Sequence, residues 1–250
     1  MRLTGNLHLV GGGVWGGMGL SPGPDCNVYL AECGDGSAVL IDTGSGLPAS
    51  VEAIAGHIAA AGIDPRSIRA ILLTHMHGDH AGGLAHFAGS SGAAVHASAL
   101  TARVLADGDE IASSVAAARS AGIYPAEFRL KPHAGIKPVE EGDRLVFGDI
   151  AFEAFATPGH CAGHLSFLMT AGNRRDLVAG DVVFWRGRVL MQTTADCDPA
   201  ALSDSIGKLA ALRDVDGLFP GHGAFTLSGA NRHLDEAASH VRQLRLPQGV

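Results

Sequence analysis

Three histidines and one aspartate lie within six consecutive residues of the chain, at His75, His77, Asp79 and His80. They directly follow residues 68–74, a short apolar and β-branched run that is typical of a buried strand. In an extended segment alternate side chains share one side, so His75 and His77 can face one metal ion. The glycine before Asp79 permits a tight turn, which directs Asp79 and His80 toward a neighbouring position. Because buried imidazoles and carboxylates need partners that a metal ion supplies, the segment predicts a metal site.

Further polar segments follow later apolar runs. They are residues 157–160 (TPGH), 179–181 (AGD) and 219–223 (FPGHG), and an earlier segment at 42–44 reads DTG. Together with the complete HxHxDH motif, these segments resemble those of the metallo-β-lactamase superfamily, over roughly residues 25–225. Several motifs in the same order are specific, whereas a single HxH would be weak evidence.

The resemblance implies two metal sites that share one bridging ligand. His75, His77 and His160 would hold the first ion, Asp79, His80 and His222 the second, and Asp181 would bridge both. Imidazole and carboxylate ligands without thiolate suit zinc, and they also suit iron, manganese or cobalt. We therefore expect two metal ions as cofactors, with Zn²⁺ as the first choice.

The expected chemistry follows from two close cations. They would lower the pKa of a bridging water and hold hydroxide at neutral pH. The metal-bound hydroxide would attack a substrate carbonyl, and the cations would stabilise the resulting oxyanion. Asp79 can accept a hydrogen bond from this nucleophile, so we assign it a catalytic role as well. The resemblance thus predicts an enzyme, a binuclear metal-dependent hydrolase of an ester, lactone or thioester bond in a small molecule.

Other functions remain open on the same residues. Hydrolysis of a β-lactam or an organophosphate would use the same site, although secreted β-lactamases of the superfamily normally lack the bridging aspartate. An iron-dependent persulfide dioxygenase shares the fold but uses one iron. A metal-containing ligand-binding protein of low turnover would keep the ligands. Lactonase relatives usually carry a tyrosine three residues after the bridging aspartate, where this chain has Phe184.

The order of predicted elements indicates an α/β fold. Strands are predicted in two groups, each followed by helices, which suits two mixed β-sheets packed face to face with helices outside, a four-layer αββα sandwich. The predicted strands are residues 7–10, 27–33, 38–42, 68–74, 93–96, 144–147, 150–156, 165–169, 177–179 and 189–192. The predicted helices are residues 48–61, 98–130, 199–212 and 229–244. We expect one domain over residues 1–250, with a helical lid-like insertion at about 98–133.

Two regions are predicted to contact the substrate. Trp15 and Met18 lie in a glycine-rich loop that we interpret as a flap over the site. Tyr124 and Phe128 lie in the insertion, for which a helical hairpin or a dimer contact is the alternative. Phe184, close to the bridging aspartate, completes the predicted contacts.

Composition restricts the partners. The formal net charge is −7 and no basic run is present, which argues against a nucleic-acid partner. No apolar run reaches the roughly 18 residues of a membrane span, and the start of the chain does not read as a signal peptide. We therefore expect a cytoplasmic protein with a small-molecule substrate and no membrane partner, with a homodimer as an open alternative.

Two residues near the predicted ligands are not expected to bind metal. His164 is interpreted as a buried residue supporting the ligands. Cys161 follows a ligand directly, and we expect its side chain to point elsewhere. The four cysteines show no CxxC spacing, so we predict free thiols and no catalytic thiol.

Overall fold

The computed structural model describes residues 1–14 and 18–243 of the chain. Two β-sheets occupy its centre. The first sheet runs in chain order through β1 (Leu7–Gly11), β2 (Val28–Glu32), β3 (Ala38–Ile41), β4 (Ile68–Leu72), β5 (Ala94–Ala97) and β6 (Lys137–Pro138). Its first two pairings are antiparallel and the remaining three are parallel.

The second sheet contains the strands of the other half of the chain. These are β7 (Arg144–Phe147), β8 (Ile150–Ala156), β9 (Leu165–Ala171), β10 (Arg174–Gly180) and β11 (Gly217–Pro220). The strand order is β11-β10-β9-β8-β7, and only the pairing of β10 with β11 is parallel within this sheet.

The helices are α1 (Pro48–Ala60), α2 (Gly78–Ala81), α3 (Leu84–Ser91), α4 (Ala99–Asp107), α5 (Val115–Ser120), α6 (Pro199–Ala210) and α7 (Ala230–Arg242). Short 3₁₀ turns occur at Pro65–Ser67 and Trp185–Gly187. In the described part of the chain, no helix is long and apolar enough to cross a membrane.

Alternation along the strands explains the layering. In β2, Leu30 packs in a cluster with the outer helix α1, while the adjacent Tyr29 packs between the two sheets. In β9, Phe167 lies between the sheets, while Leu168 packs in a cluster with α6 and α7. Each sheet is therefore apolar on both faces, one facing the other sheet and one facing helices. The predicted four-layer arrangement of two mixed sheets is confirmed.

Two predicted elements differ from the structure. Residues 189–192 do not form a strand: they follow the 3₁₀ turn at Trp185–Gly187 as loop, and Val189 is buried against α6 and α7. Helix within residues 98–130 is confined to α4 and α5, because Gly108 ends α4 in a left-handed conformation (φ 63°) and turns follow α5. The role of this segment as a lid stays a prediction.

Candidate metal centre

The predicted ligands come together at the C-terminal ends of β4, β8, β10 and β11. His75 and His77 lie between β4 and α2, and Asp79 and His80 lie in α2 itself. The remaining three ligands follow β8, β10 and β11 at His160, Asp181 and His222. Both sheets therefore contribute to one site, as expected for polar residues that follow buried strands.

One group consists of three imidazoles that face each other. Nδ1 of His77 lies 3.0 Å from Nε2 of His75 and 3.0 Å from Nε2 of His160. Burial lowers the pKa of His75 well below its usual range and lowers that of His160 to about 4. These two rings are therefore neutral at neutral pH, with lone pairs available to a cation.

The other group combines two imidazoles with a carboxylate. Oδ2 of Asp79 lies 3.0 Å from Nε2 of His222 and 3.7 Å from Nε2 of His80. Asp181 lies between the groups: its Oδ2 is 3.5 Å from Nε2 of both His160 and His222, and its Oδ1 is 3.5 Å from Nε2 of His80.

The donor set fits metal ions. Nε2 of His80 and Oδ1 of Asp181 are fully buried and have no hydrogen-bond partner within the described residues. Leaving such atoms unpaired is costly, and a cation between the converging donors would satisfy both. Three groups with ligand atoms close enough to hold a metal ion include His80: one with Asp79 and His222, one with His75 and Asp181, and one with Cys26 and Asp42.

A buried aspartate contacts Nδ1 of His80, the ring nitrogen that does not face the other predicted ligands. Oδ2 of Asp42 lies 2.8 Å from Nδ1 of His80 and accepts a hydrogen bond of 2.8 Å from the Thr74 hydroxyl. Oδ1 of Asp42 accepts from the Thr74 backbone N–H at 2.8 Å. This arrangement fixes the ring so that Nε2 faces the other donors. The DTG segment containing Asp42 is the sequence signal for it.

Asp196 was not identified from the sequence. Its Oδ2 accepts a hydrogen bond of 3.0 Å from Nε2 of His77, and its Oδ1 accepts one of 2.9 Å from the hydroxyl of Ser114. The carboxylate thus joins a predicted ligand to the residue that precedes α5. No motif surrounds Asp196, and the only indication is that the second nitrogen of a metal-binding histidine needs an acceptor.

Tyr124 contacts the centre directly. Its hydroxyl donates a hydrogen bond of 2.7 Å to Oδ1 of Asp79 and accepts one of 3.1 Å from the Asp79 backbone N–H. Burial and the Asp79 carboxylate raise the pKa of Tyr124 well above its usual range, so the phenol stays protonated. Phe128 stacks on the Tyr124 ring at 4.6 Å.

A cavity of about 1020 Å³ opens over the centre, and His77, Asp79, Asp181 and His222 form part of its wall. Tyr124 and Phe184, two of the predicted substrate contacts, line the cavity together with Ile123, and their contact with a substrate stays a prediction. The structure does not place Met18 and Phe128 among the lining residues: Met18 is half-exposed elsewhere, and Phe128 is buried beneath Tyr124. Trp15 lies outside the described residues.

His164 and Cys161 lie next to the centre. Nε2 of His164 accepts a hydrogen bond of 3.1 Å from the Asp181 backbone N–H, and its Nδ1 lies 2.9 Å from the Thr157 hydroxyl, so neither nitrogen faces the cluster. The expectation that Cys161 points elsewhere is wrong, because its sulfur lies within 4.8 Å of a ring nitrogen of both His75 and His77. Burial raises the pKa of this thiol well above its usual range, so it stays protonated.

Comparison with protein families and curated proteins gives a consistent result. Residues 22–222 match the family model described as the metallo-beta-lactamase superfamily. Lactamase-like protein nscB of Aspergillus fumigatus is 30% identical over 248 residues, which are 99% of this chain and 61% of that protein. Lactamase-like protein vrtG of Penicillium aethiopicum is 29% identical over 198 residues, which are 79% of this chain and 51% of that protein. The chain thus spans between half and about three fifths of these two relatives.

Solved structures share the fold over nearly the whole chain. MEM-A1, a subclass B3 metallo-beta-lactamase from a soil metagenome library, is 25% identical with a TM-score of 0.71, covering 98% of this chain and 94% of that chain. BJP-1, a subclass B3 metallo-beta-lactamase of Bradyrhizobium japonicum, is 24% identical with a TM-score of 0.71. The match covers 98% of this chain and 91% of that chain. The second likeness supports the fold alone.

Proposed function

We infer that this chain, which belongs to the metallo-beta-lactamase superfamily, is a binuclear metal-dependent hydrolase of small-molecule esters, lactones or thioesters. One observation carries the proposal. The carboxylate of Asp181 lies 3.5 Å from nitrogens of both donor groups, through His160 on one side and through His80 and His222 on the other. A single ion in either group would leave buried donors of the other group without a partner, which is costly.

Zinc is the proposed ion, because imidazole and carboxylate are the donors that face the centre. Bound there, a pair of such ions would lower the pKa of water and polarise a substrate carbonyl. The protonated Cys161 thiol next to the first group is not assigned a role in binding the ions.

The surrounding residues orient the reactants. Hydrolysis joins the oxygen of water to the carbonyl carbon and breaks the bond from that carbon to the leaving oxygen or sulfur, which takes up a proton. Asp79 lines the cavity and is held by Tyr124, so it can accept a hydrogen bond from the attacking water and fix its direction. Asp42 and Asp196 hold His80 and His77 in position from outside the cluster.

Hydrolysis of a β-lactam is the second candidate. The specific observation in its favour is the likeness to MEM-A1, a subclass B3 metallo-beta-lactamase, at a TM-score of 0.71 and 25% identity. A β-lactam offers a strained amide carbonyl to the same residues, so the geometry of the centre alone does not separate the two substrate classes.

A hydrolysis panel tests the proposal. The purified protein is assayed with a thioester, an aryl ester, a lactone and nitrocefin, before and after chelation, and after zinc is returned. We expect turnover of at least one carbonyl substrate, its loss on chelation, and at least a hundredfold lower kcat in Asp79→Asn. Asp204→Asn, an exposed residue of α6, is the matched control and should behave like the parent. Turnover of nitrocefin alone would favour the second candidate, and no turnover with zinc bound would contradict both.

A further inference from the structure

The cavity over the metal centre has a polar floor and an apolar wall. Its floor includes Asp79, Asp181 and His222, and Oδ1 of the buried Asp181 has no hydrogen-bond partner among the described residues. Its volume of about 1020 Å³ lies at the upper end of the range in which proteins bind drug-sized ligands. The space is therefore much larger than a short acyl group requires.

Small residues on one face of α5 form part of the cavity wall. Ser114, Ala117, Ala118 and Ala121 line the cavity from α5 and its two ends. Spacings of three and four residues place these side chains on one face of the helix. Because none of them extends beyond a hydroxyl or methyl group, they set how close α5 approaches a ligand.

Large apolar side chains form another part of the cavity lining. Trp185 and Met191 line the cavity and are each 39% exposed, and Ile123 and Val14, which also line it, are 47% and 66% exposed. These four belong to the nine large apolar side chains that are exposed in the described part of the chain. Exposed apolar surface concentrated at a cavity marks a binding site for an apolar ligand.

Charge is scarce in the wall. Outside the residues of the metal centre, Arg188 is the one charged residue among the described residues that line the cavity. A substrate with several phosphates or carboxylates inside the cavity would need more cationic partners than this. The wall therefore favours an acyl group that is large, uncharged and mainly apolar.

We propose that this cavity is the acyl subsite, that it takes an uncharged apolar acyl group of drug-like size, and that the small residues of α5 set the upper limit of that size. The carbonyl carbon of the substrate lies over the floor, and the apolar part of the acyl group contacts the lining residues of α5 and Trp185. This proposal rests on the proposed hydrolase function and adds the substrate class to it.

A series of neutral thioesters tests the proposal. The acetyl, hexanoyl, decanoyl and 2-naphthoyl thioesters of N-acetylcysteamine are compared for kcat/KM in the parent, Ala117→Leu and Ala116→Leu. Ala117 is exposed and lines the cavity, whereas Ala116 lies in the same helix and is not among the lining residues. We expect kcat/KM to rise at least tenfold from acetyl to decanoyl or naphthoyl. Ala117→Leu should lower kcat/KM at least tenfold more for the large substrates than for the acetyl thioester, and Ala116→Leu should match the parent.

A binding measurement separates failure of this proposal from failure of the hydrolase function. Calorimetric titration of the zinc-loaded protein should give a Kd for decanoate at least tenfold lower than that for acetate. In Ala117→Leu the two acids should bind with similar Kd. Hydrolysis without any dependence on acyl size, or with acetyl preferred, would overturn the acyl subsite and leave the hydrolase intact. If no thioester is hydrolysed, preferential decanoate binding lost in Ala117→Leu would still support the apolar site, and equal binding of both acids would overturn it.

Discussion

The hydroxyl of Tyr124 donates a hydrogen bond of 2.7 Å to Oδ1 of Asp79, and the Tyr124 hydroxyl oxygen accepts one of 3.1 Å from the Asp79 backbone N–H. This double contact joins the segment after α5 to the short helix that carries two predicted ligands. It leaves Oδ2 of Asp79 directed toward His222 at 3.0 Å. Tyr124 thus both lines the cavity and orients a residue of the metal centre.

Tyr124→Phe should weaken binding of the second metal ion by about 10–100-fold, because the carboxylate of Asp79 loses the donor that fixes its orientation. Competition with a chelator, followed by elemental analysis, measures the affinity independently of activity. Tyr29→Phe is the matched control: its hydroxyl donates 2.7 Å to the carbonyl of Pro220, to which Asn27 also donates. The control should lose about 1 kcal/mol of unfolding free energy and keep its metal affinity. Equal metal affinity in Tyr124→Phe and the parent would refute the positioning role.

Asp196→Ala should weaken binding of the first metal ion by a similar factor, since Nε2 of His77 would lose its charged acceptor at 3.0 Å. Ser114→Gly provides a graded comparison. Ser114 has φ of 58°, which glycine adopts freely, so this variant removes the hydroxyl that holds Asp196 without adding backbone strain. Chelator competition should rank the parent first, Ser114→Gly second and Asp196→Ala last. A reversed order would show that Asp196 does not act through His77.

Gly221→Ala should impair metal retention without a change in any ligand. A Cβ at this position would overlap Oδ1 of Asp181 and lie 2.7 Å from Cε1 of His80, so one of these side chains must move. Gly56→Ala is the control, because Gly56 is exposed within α1 and no atom lies within 4 Å of its added Cβ. The control should gain about 0.5–1 kcal/mol of unfolding free energy, as expected for glycine in a helix interior. Metal content in Gly221→Ala equal to that of the control would contradict the packing argument.

Removal of metal should destabilise the folded protein. A ligand present at a thousand times its Kd stabilises the native state by about 4 kcal/mol, which for a domain of this size corresponds to a shift in Tm of about 10 °C. Thermal unfolding with excess chelator should show this decrease in the parent and in Asp204→Asn, and much less of it in His160→Ala. An unchanged Tm in the parent after complete metal removal would mean that the clustered donors are stable without ions.

The predicted ligands lie close together in the structure because four of them fall within six residues of one segment and the others follow apolar strands in the same way. The supporting contacts were harder to predict. Asp196 meets His77 across 119 residues of chain, and no local pattern marks it. Tyr124 was predicted as a substrate contact, but its hydroxyl is directed to Asp79.

The errors in the fold have physical causes as well. Residues 189–192 contain apolar side chains that a strand would also contain, yet here Val189 is buried by α6 and α7, whereas Leu190 and Met191 line the cavity. Apolar side chains in a loop satisfy the same pattern as a short strand when they pack against helices or a binding site. The two-residue strand β6 is too short to carry a pattern at all.

The most direct test of the binuclear centre is the metal content of protein purified without added metal, compared between the parent, Asp181→Asn and Asp204→Asn. We expect two zinc ions per chain in the parent and in Asp204→Asn, and fewer in Asp181→Asn, because the carboxylate between the two donor groups is lost. About one iron per chain, unchanged by Asp181→Asn, would contradict the binuclear hydrolase and favour a mononuclear iron enzyme.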